Sequence, residues 1–275
     1  MILSGKTALI TGGSSGIGLA TARLLASRGV RCALLARDPD RLAVAVGTLS
    51  TDHRPHLAEP VDVSDAQAVA QAVSRLQAEA GAPDILVNCA GAAHPGYIQE
   101  LDLEIYRQMM EVNYFGVVHV TKAVLPGMLA RGSGHIVNVA SVAAFISVFG
   151  YSAYGASKFA LHGFSDALRH EMKPHGICVS IVYPPDTDTP QLAYENRLKP
   201  PELKLLLPEL GVLKPEQVAQ AIVNGIQRGQ QVILPDFGTR LIFVLNNLAG
   251  TKAYPVLDFL LRRAQRKLSH PPANQ

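Results

Sequence analysis

Seven short apolar runs punctuate the chain, at residues 6–11, 31–36, 56–61, 84–88, 135–140, 177–182 and 231–234. Apart from the weak run at 56–61, they are apolar almost throughout rather than alternating, as expected of strands covered on both faces. Longer stretches with apolar residues at three- and four-residue spacing lie between them, at 16–28, 66–80, 103–129 and 153–172, and predict amphipathic helices. Alternation of this kind predicts an α/β fold: a doubly wound, Rossmann-type parallel sheet of about seven strands with helices on both faces. Ligands of such a sheet are met at the carboxyl ends of its strands.

The 275 residues contain no Ser/Gly-rich linker, repeat or low-complexity segment, so residues 1–236 read as one domain followed by an extension, 237–275. Hydrophobic content of 48% is ample for a core. Cys32, Cys89 and Cys178 each sit in an apolar run, which predicts buried free thiols in a reducing compartment. The opening MILSGKTALI is too short in apolar residues and too poor in basic ones for a signal peptide, and no segment approaches the length of a membrane span. The expectation is a cytoplasmic protein. Net charge is only +3, which gives no reason to expect nucleic acid as a partner. His53 and His56 straddle Pro55 without a Cys or Asp partner, so no metal site is expected.

The first strand runs into Thr11-Gly12-Gly13-Ser14-Ser15-Gly16-Ile17-Gly18, and a helix follows at once. Glycines permit the tight turn and close backbone approach that a pyrophosphate needs, and the helix start offers it free N–H groups. A phosphate loop of the Lys-Ser/Thr type is excluded, because Leu19 and Ala20 follow Gly18. The second strand ends at Ala36-Arg37-Asp38, with Arg41 a helical turn on. A free ribose 2′-hydroxyl calls for an acid at that strand end, whereas a 2′-phosphate calls for arginine. Arg37 and Arg41 therefore point to NADPH, and Asp38 is assigned to capping the next helix. The same arginine disfavours a methyltransferase.

Tyr154 and Lys158 are four residues apart and share one helix face, and Ser141 lies just past the fifth strand. Bringing a tyrosine from pKa ~10 to ~7 requires roughly 4 kcal/mol. One ammonium at ~4 Å in an effective dielectric of ~20 supplies about that much, so the pair could form a working acid at neutral pH.

Together these residues resemble the short-chain dehydrogenase/reductase family over nearly the whole chain. The matching pieces are the Thr11–Gly18 turn, Asp62-Val63, Asn88-Cys89-Ala90-Gly91, Asn113, Ser141, Tyr154 and Lys158. Cys89 departs slightly, standing where the family usually has Asn or Ala. The resemblance implies that Tyr154 donates a proton to a substrate carbonyl and that Ser141 orients that oxygen. Lys158 would tune the tyrosine and hold the nicotinamide ribose, Asn113 would anchor a water-linked proton relay, and Asp62 would contact the adenine. Gly12, Ser14, Ser15, Gly16, Ile17, Gly18, Val63, Asn88, Ala90 and Gly91 complete the implied cofactor site. In this family the sixth strand ends in Pro-Gly with a Thr five residues after the Pro; here Pro184-Pro185 and Thr189 match, so Pro184, Thr187 and Thr189 are expected near the nicotinamide. The stretch Y-P-P-D-T-D-T-P and the later Glu195-Asn196-Arg197-x-Lys199-Pro200 are similar to the 3-ketodihydrosphingosine reductase branch. Eukaryotic members of that branch carry an N-terminal membrane anchor, and the opening residues here give no reason to expect one.

The resemblance thus implies NADPH-dependent reduction of a long-chain ketone. Another lipophilic ketone, such as a steroid or 3-ketoacyl thioester, is the alternative within the class, and a silent dinucleotide-binding sensor is the alternative outside it. Residues 190–213, with Leu192, Leu203, Leu205, Leu206, Leu207 and Leu210, read as an apolar lid. Asp186 and Asp188 fit either helix capping or a substrate ammonium. The extension holds six Lys/Arg against Asp258 alone, a net +5, which leaves −2 for the other 236 residues. Its stripe Leu257, Leu260, Leu261, Ala264 and Leu268, bordered by Arg262, Arg263, Arg266 and Lys267, suits either an anionic membrane surface or packing on the core or on a second copy in a homo-oligomer.

Overall fold

The computed structural model describes residues 1–49, 55–146, 148–206 and 211–269. Its strands are β1 Thr7–Thr11, β2 Arg31–Ala36, β3 Leu57–Pro60, β4 Ile85–Asn88, β5 Gly134–Val139, β6 Ile177–Val182 and β7 Val232–Ile233. They form one seven-stranded sheet in the order β3-β2-β1-β4-β5-β6-β7, parallel at every pairing. The predicted architecture is borne out.

The helices up to the sixth strand are α1 Gly16–Ala26, α2 Pro39–Gly47, α3 Ala66–Ala80, α4 Leu103–Met110, α5 Gly116–Arg131 and α6 Ser152–Met172. Beyond it come α7 Pro190–Leu198, α8 Pro201–Leu206, α9 Pro215–Arg228, α10 Phe237–Ala249 and α11 Tyr254–Ser269.

Successive strand residues feed opposite faces, which explains the unbroken apolar runs. Ala8 and Ile10 of β1 pack with Leu25 of α1 and Ile222 and Ile226 of α9 on one side. Leu9 packs with Val73 of α3, Val124 of α5 and Leu168 of α6 on the other. Burying a side chain of this size contributes roughly 1.5–3 kcal/mol, so the two apolar layers supply most of what holds the sheet and helices together.

Helix starts follow their caps. Asp38 accepts from the Asp40 and Arg41 amides at the start of α2, the capping role assigned to it, and Asp65 does the same for α3 through Gln67 and Ala68. The stretch read as one helix, 103–129, is instead divided by a π-turn at Glu111–Phe115, with Asn113 at its centre. The hydrogen bonds that Asn113 makes at the site account for the division.

Two sequence expectations are corrected by the structure. Cys32 is buried and Cys89 half-buried, but Cys178, second residue of β6, is exposed. The five-residue stripe of the extension is covered in part and exposed in part. Ala264 is buried and Leu261 half-buried where α11 packs on α8, whereas Leu260 and Leu268 face outward; the Leu257 side chain lies outside what is described, as do His53, Leu207 and Leu210 altogether. Asp236 caps α10, whose Phe243 stacks on Tyr183 with ring centroids 5.6 Å apart. The Asn246 amide also donates to the Phe145 carbonyl at 2.9 Å. Among the described residues no helix is long and apolar enough to cross a membrane, and no His/Cys/Asp/Glu group could hold a metal.

Candidate active site

The sheet order reverses between β1 and β4, and the loops leaving those two strands meet there. The Thr11 hydroxyl clamps them together, accepting from the Cys89 and Ala90 amides at 2.9 Å each. Gly12 has φ +66°, and a Cβ on it would stand 3.0 Å from the Ala90 Cα. A Cβ on Gly18 would lie 2.3 Å from the Gly12 carbonyl oxygen, so the turn and helix can approach only as glycines. No side chain caps the start of α1, unlike α2 and α3. The turn formed by Gly12, Ser14, Ser15, Gly16, Ile17 and Gly18 therefore presents first-turn N–H groups, the donor set that fits a pyrophosphate.

At the end of β2 the Arg37 guanidinium reaches out, three-quarters exposed, 4.0 Å from the Asp62 carboxylate. Asp62 is otherwise held by the Ser64 amide and hydroxyl. Arg41 lines an open cavity of about 250 Å³ with Ser14, Arg23 and Asp40. Val63 is buried, and its carbonyl meets the His119 ring. The Asn88 side chain is turned into the core, donating to Thr121 and Asn138, so it offers an incoming ligand only backbone.

A second cluster forms beyond β4 and β5. Asn113 is fully buried; its Oδ1 accepts from the Ala92 amide, and its Nδ2 donates to the Ala92 carbonyl and to the Ser157 hydroxyl. Both edges of its amide are needed to hold the loop after β4 against α6, which accounts for the widened turn that aims it. A Cβ on Gly91 would come within 3.2 Å of Asn113 Oδ1 and 3.5 Å of Lys158 Nζ.

Tyr154 and Lys158 are buried on one face of α6. The Lys158 ammonium donates to the Val139 carbonyl at 3.1 Å and lies 5.7 Å from the Tyr154 ring centroid. Ser141 caps a short turn by accepting from the Ala143 amide, and it lies within hydrogen-bonding reach of the Tyr154 phenol.

The electrostatics run against the simple tyrosine–lysine sum. Burial, then the Glu195 carboxylate, push the Tyr154 phenol well above its ordinary pKa, with Ser141 drawing it partway back. Burial lowers Lys158 to about 8, so the ammonium is itself a reluctant cation. Desolvation outweighs the pairwise attraction from which the lowered phenol was expected.

Residues 183–190 are rigid for an identifiable reason. The Pro184 carbonyl accepts from the Val142 amide, and Thr187 bridges to Leu213. Leu213 exchanges backbone bonds with Asp186 and Asp188 at 3.0 and 2.8 Å. The cap of α7 is Thr189, accepting from the Leu192 amide, not either aspartate. Asp186 instead pairs with the Lys199 ammonium at 2.8 Å. Thr189 also abuts Gly16, where an added Cβ would lie 3.0 Å from its methyl, so this loop touches the glycine turn.

Two residues of the site escaped the sequence reading. Glu195 on α7 is 7% exposed and accepts a 2.6 Å hydrogen bond from Tyr151, whose ring centroid is 5.6 Å from that of Tyr154. Tyr151 lies three residues before Tyr154, a helix-face spacing that was available as a signal; Glu195 had none beyond its place in a motif. Around them Ala93, Met109, Ala143 and Leu203 form an apolar wall. Helices α7 and α8 are tied down over the wall by Tyr194 to His94 at 2.8 Å and Tyr97 to Glu202 at 2.7 Å.

The short chain dehydrogenase family model matches residues 6–199. The chain belongs to the short-chain dehydrogenase family. This dehydrogenase is 43% identical over 232 residues to the 3-dehydrosphinganine reductase of Danio rerio, covering 82% of this chain and 70% of that protein. It is 38% identical over 279 residues to the 3-ketodihydrosphingosine reductase of Dictyostelium discoideum, covering 94% and 83%. An alcohol dehydrogenase from the archaeon Thermococcus sibiricus, complexed with 5-hydroxy-NADP, superposes with a TM-score of 0.73 at 29% identity, covering 83% of this chain and 95% of that one.

Proposed function

We propose that this dehydrogenase reduces a long-chain 3-keto sphingoid base, 3-ketosphinganine, to its 3-hydroxy product with NADPH. The observation that carries the reading is the buried Tyr154, with Ser141 in reach of its phenol and Lys158 on the same helix face, backed by an apolar wall. Relatives that share most of the chain bear the name of this activity.

The glycine turn and bare start of α1 fit a pyrophosphate, and the outward Arg37, with Arg41 beside Ser14, fits a 2′-phosphate. Asp62, beside Arg37, would contact the adenine. Pro184, Thr187 and Thr189 lie on the loop that touches the glycine turn and would contact the carboxamide. When bound, NADPH supplies the hydride.

The chain's own residues handle the proton. Tyr154 holds the proton destined for the carbonyl oxygen, and its raised pKa keeps the phenol loaded until that oxygen becomes basic. Ser141 orients the oxygen. Lys158 places a cation below the ring and a donor toward a ribose, and Asn113 fixes the loop that confines both. Helices α7 and α8 act as a lid that excludes water, with Leu192 and Leu203 on its inner side.

The extension serves as a membrane contact. Phe237, Leu241, Val244, Leu245 and Leu248 make an exposed apolar face on α10, and Val256, Phe259 and Leu260 continue it on α11 beside exposed Arg262 and Arg263. Apolar side chains flanked by cations suit the interface of an anionic bilayer, each cation adding about 1 kcal/mol, and the substrate resides in such a bilayer. Because α10 also packs on Tyr183 and Phe145, truncation would disturb the fold. Leu248→Glu with Phe259→Glu in the full chain should abolish flotation with anionic liposomes; flotation unchanged by the pair sinks this role.

The activity itself is tested by NADPH oxidation with 3-ketosphinganine beside a steroid ketone and a 3-ketoacyl thioester. The sphingoid base should give the highest kcat/KM, and preference for either other substrate would overturn the assignment.

A further inference from the structure

We propose that Glu195 is the specificity residue of this site: its carboxylate, held by Tyr151 and Gln191, binds the ammonium group of a 2-amino-3-ketone. This deepens the function proposed above and rests on it. A carboxylate buried without a cation is costly, so native folds rarely keep one unless something pairs with it. Glu195 is 7% exposed, and among the described residues no cation lies within 4.0 Å of it. Lys199, one helical turn on, directs its ammonium to Asp186 instead. The bonds Glu195 does receive, 2.6 Å from Tyr151 and 3.0 Å from Gln191, come from neutral donors. They orient the carboxylate and, with the more distant Lys199 charge, offset part of the burial that raises its pKa, without supplying a counter-ion in contact.

The position of this charge matches one chemistry. Tyr151 links Glu195 to the neighbourhood of Tyr154, and the Glu195 charge bears on both Tyr154 and Lys158. In a 2-amino-3-ketone the nitrogen is attached to the carbon next to the carbonyl, which puts it roughly 3 Å from the oxygen. With that oxygen on Ser141 and Tyr154, an ammonium turned toward α7 would approach the Glu195 carboxylate beside Tyr151. The pairing also has a catalytic consequence. An unpaired anion near Tyr154 makes the phenol a weaker acid; an ammonium bound to Glu195 cancels that effect when the correct substrate is present. A neutral ketone leaves the anion uncompensated. The site thereby selects the aminoketone both in binding and in proton donation.

The test compares kcat/KM for 3-ketosphinganine and for 1-hydroxyoctadecan-3-one, the same chain without the amine, in the wild type, Glu195→Gln and Glu195→Asp. Thermal melting and NADPH titration check that each variant is folded. A charge-assisted hydrogen bond of this kind is worth roughly a ten- to hundredfold preference for the aminoketone in the wild type. Glu195→Gln, which keeps the shape and a hydrogen bond to Tyr151, should bring the ratio toward one, and Glu195→Asp should restore part of it. If the wild type reduces both ketones equally and Glu195→Gln lowers both alike, the long-chain ketone reading survives and the ammonium site is overturned. If the wild type reduces neither, the function itself fails and takes the ammonium site with it.

Discussion

Replacing Asn113 by alanine separates a structural role from a purely chemical one. Three hydrogen bonds are lost: from the Ala92 amide at 2.9 Å, to the Ala92 carbonyl at 2.8 Å and to the Ser157 hydroxyl at 2.9 Å. Ser157 keeps its bond to the Tyr154 carbonyl, but both Ala92 backbone groups lose a partner. At about 1 kcal/mol per bond, with Ala92 half-buried and partly open to water, the loss comes to about 2–4 kcal/mol. For a chain of 275 residues that corresponds to a Tm lower by roughly 4–8 °C. Because the loop it holds passes Lys158 at Gly91, kcat should fall with it. Calorimetry on the purified variant beside a turnover assay reads both quantities. If Tm stays within 2 °C (about 1 kcal/mol) while turnover collapses, Asn113 acts through proton relay alone, and its scaffolding role is refuted.

Two further perturbations probe the cofactor end and the acid stability. Arg37→Ala should weaken NADPH by roughly tenfold or more, the worth of a charge-assisted bond to the 2′-phosphate, while NADH changes little; equal losses in fluorescence titration would show that Arg37 never meets that phosphate. His135 is buried against Ser180, and burial lowers its imidazole to about 4. Between its ordinary 6.5 and that value the unfolded chain carries the proton and the folded chain does not, so stability drops by about 3 kcal/mol as pH falls through this window. His135→Gln should flatten that part of the urea-denaturation profile, and an unchanged slope would contradict it.

The fold was legible because both faces of the sheet are covered, which turns each strand into a short unbroken apolar run. Local chemistry marked the helix start at Asp38, and the glycine turn announced its own purpose. What could not be read depends on contacts distant in sequence. The π-turn at Asn113 exists to serve Ala92 and Ser157, 21 and 44 residues away. Glu195 meets Tyr151 across 44 residues, so a single position in α7 gave no sign that it would lie beside the phenol. The tyrosine–lysine sum failed for a related reason, since neither periodicity nor spacing reports how dry a site is. In the extension, the helical spacing of α11 was visible, but its packing on α8, and that of α10 on Phe145 and Tyr183, was not.

The central claim is that Tyr154 delivers the proton in reduction of a long-chain ketone. It is tested most directly by steady-state NADPH oxidation with 3-ketosphinganine, comparing the wild type with Tyr154→Phe and quantifying the 3-hydroxy product. The phenylalanine keeps the ring packed against Tyr151, so folding and NADPH affinity should persist. The wild type should form product in step with NADPH consumed, and the variant should be slower by roughly 10²–10⁴-fold. A Tyr154→Phe enzyme turning over within about tenfold of the wild type, well short of what general acid catalysis contributes, would contradict the account.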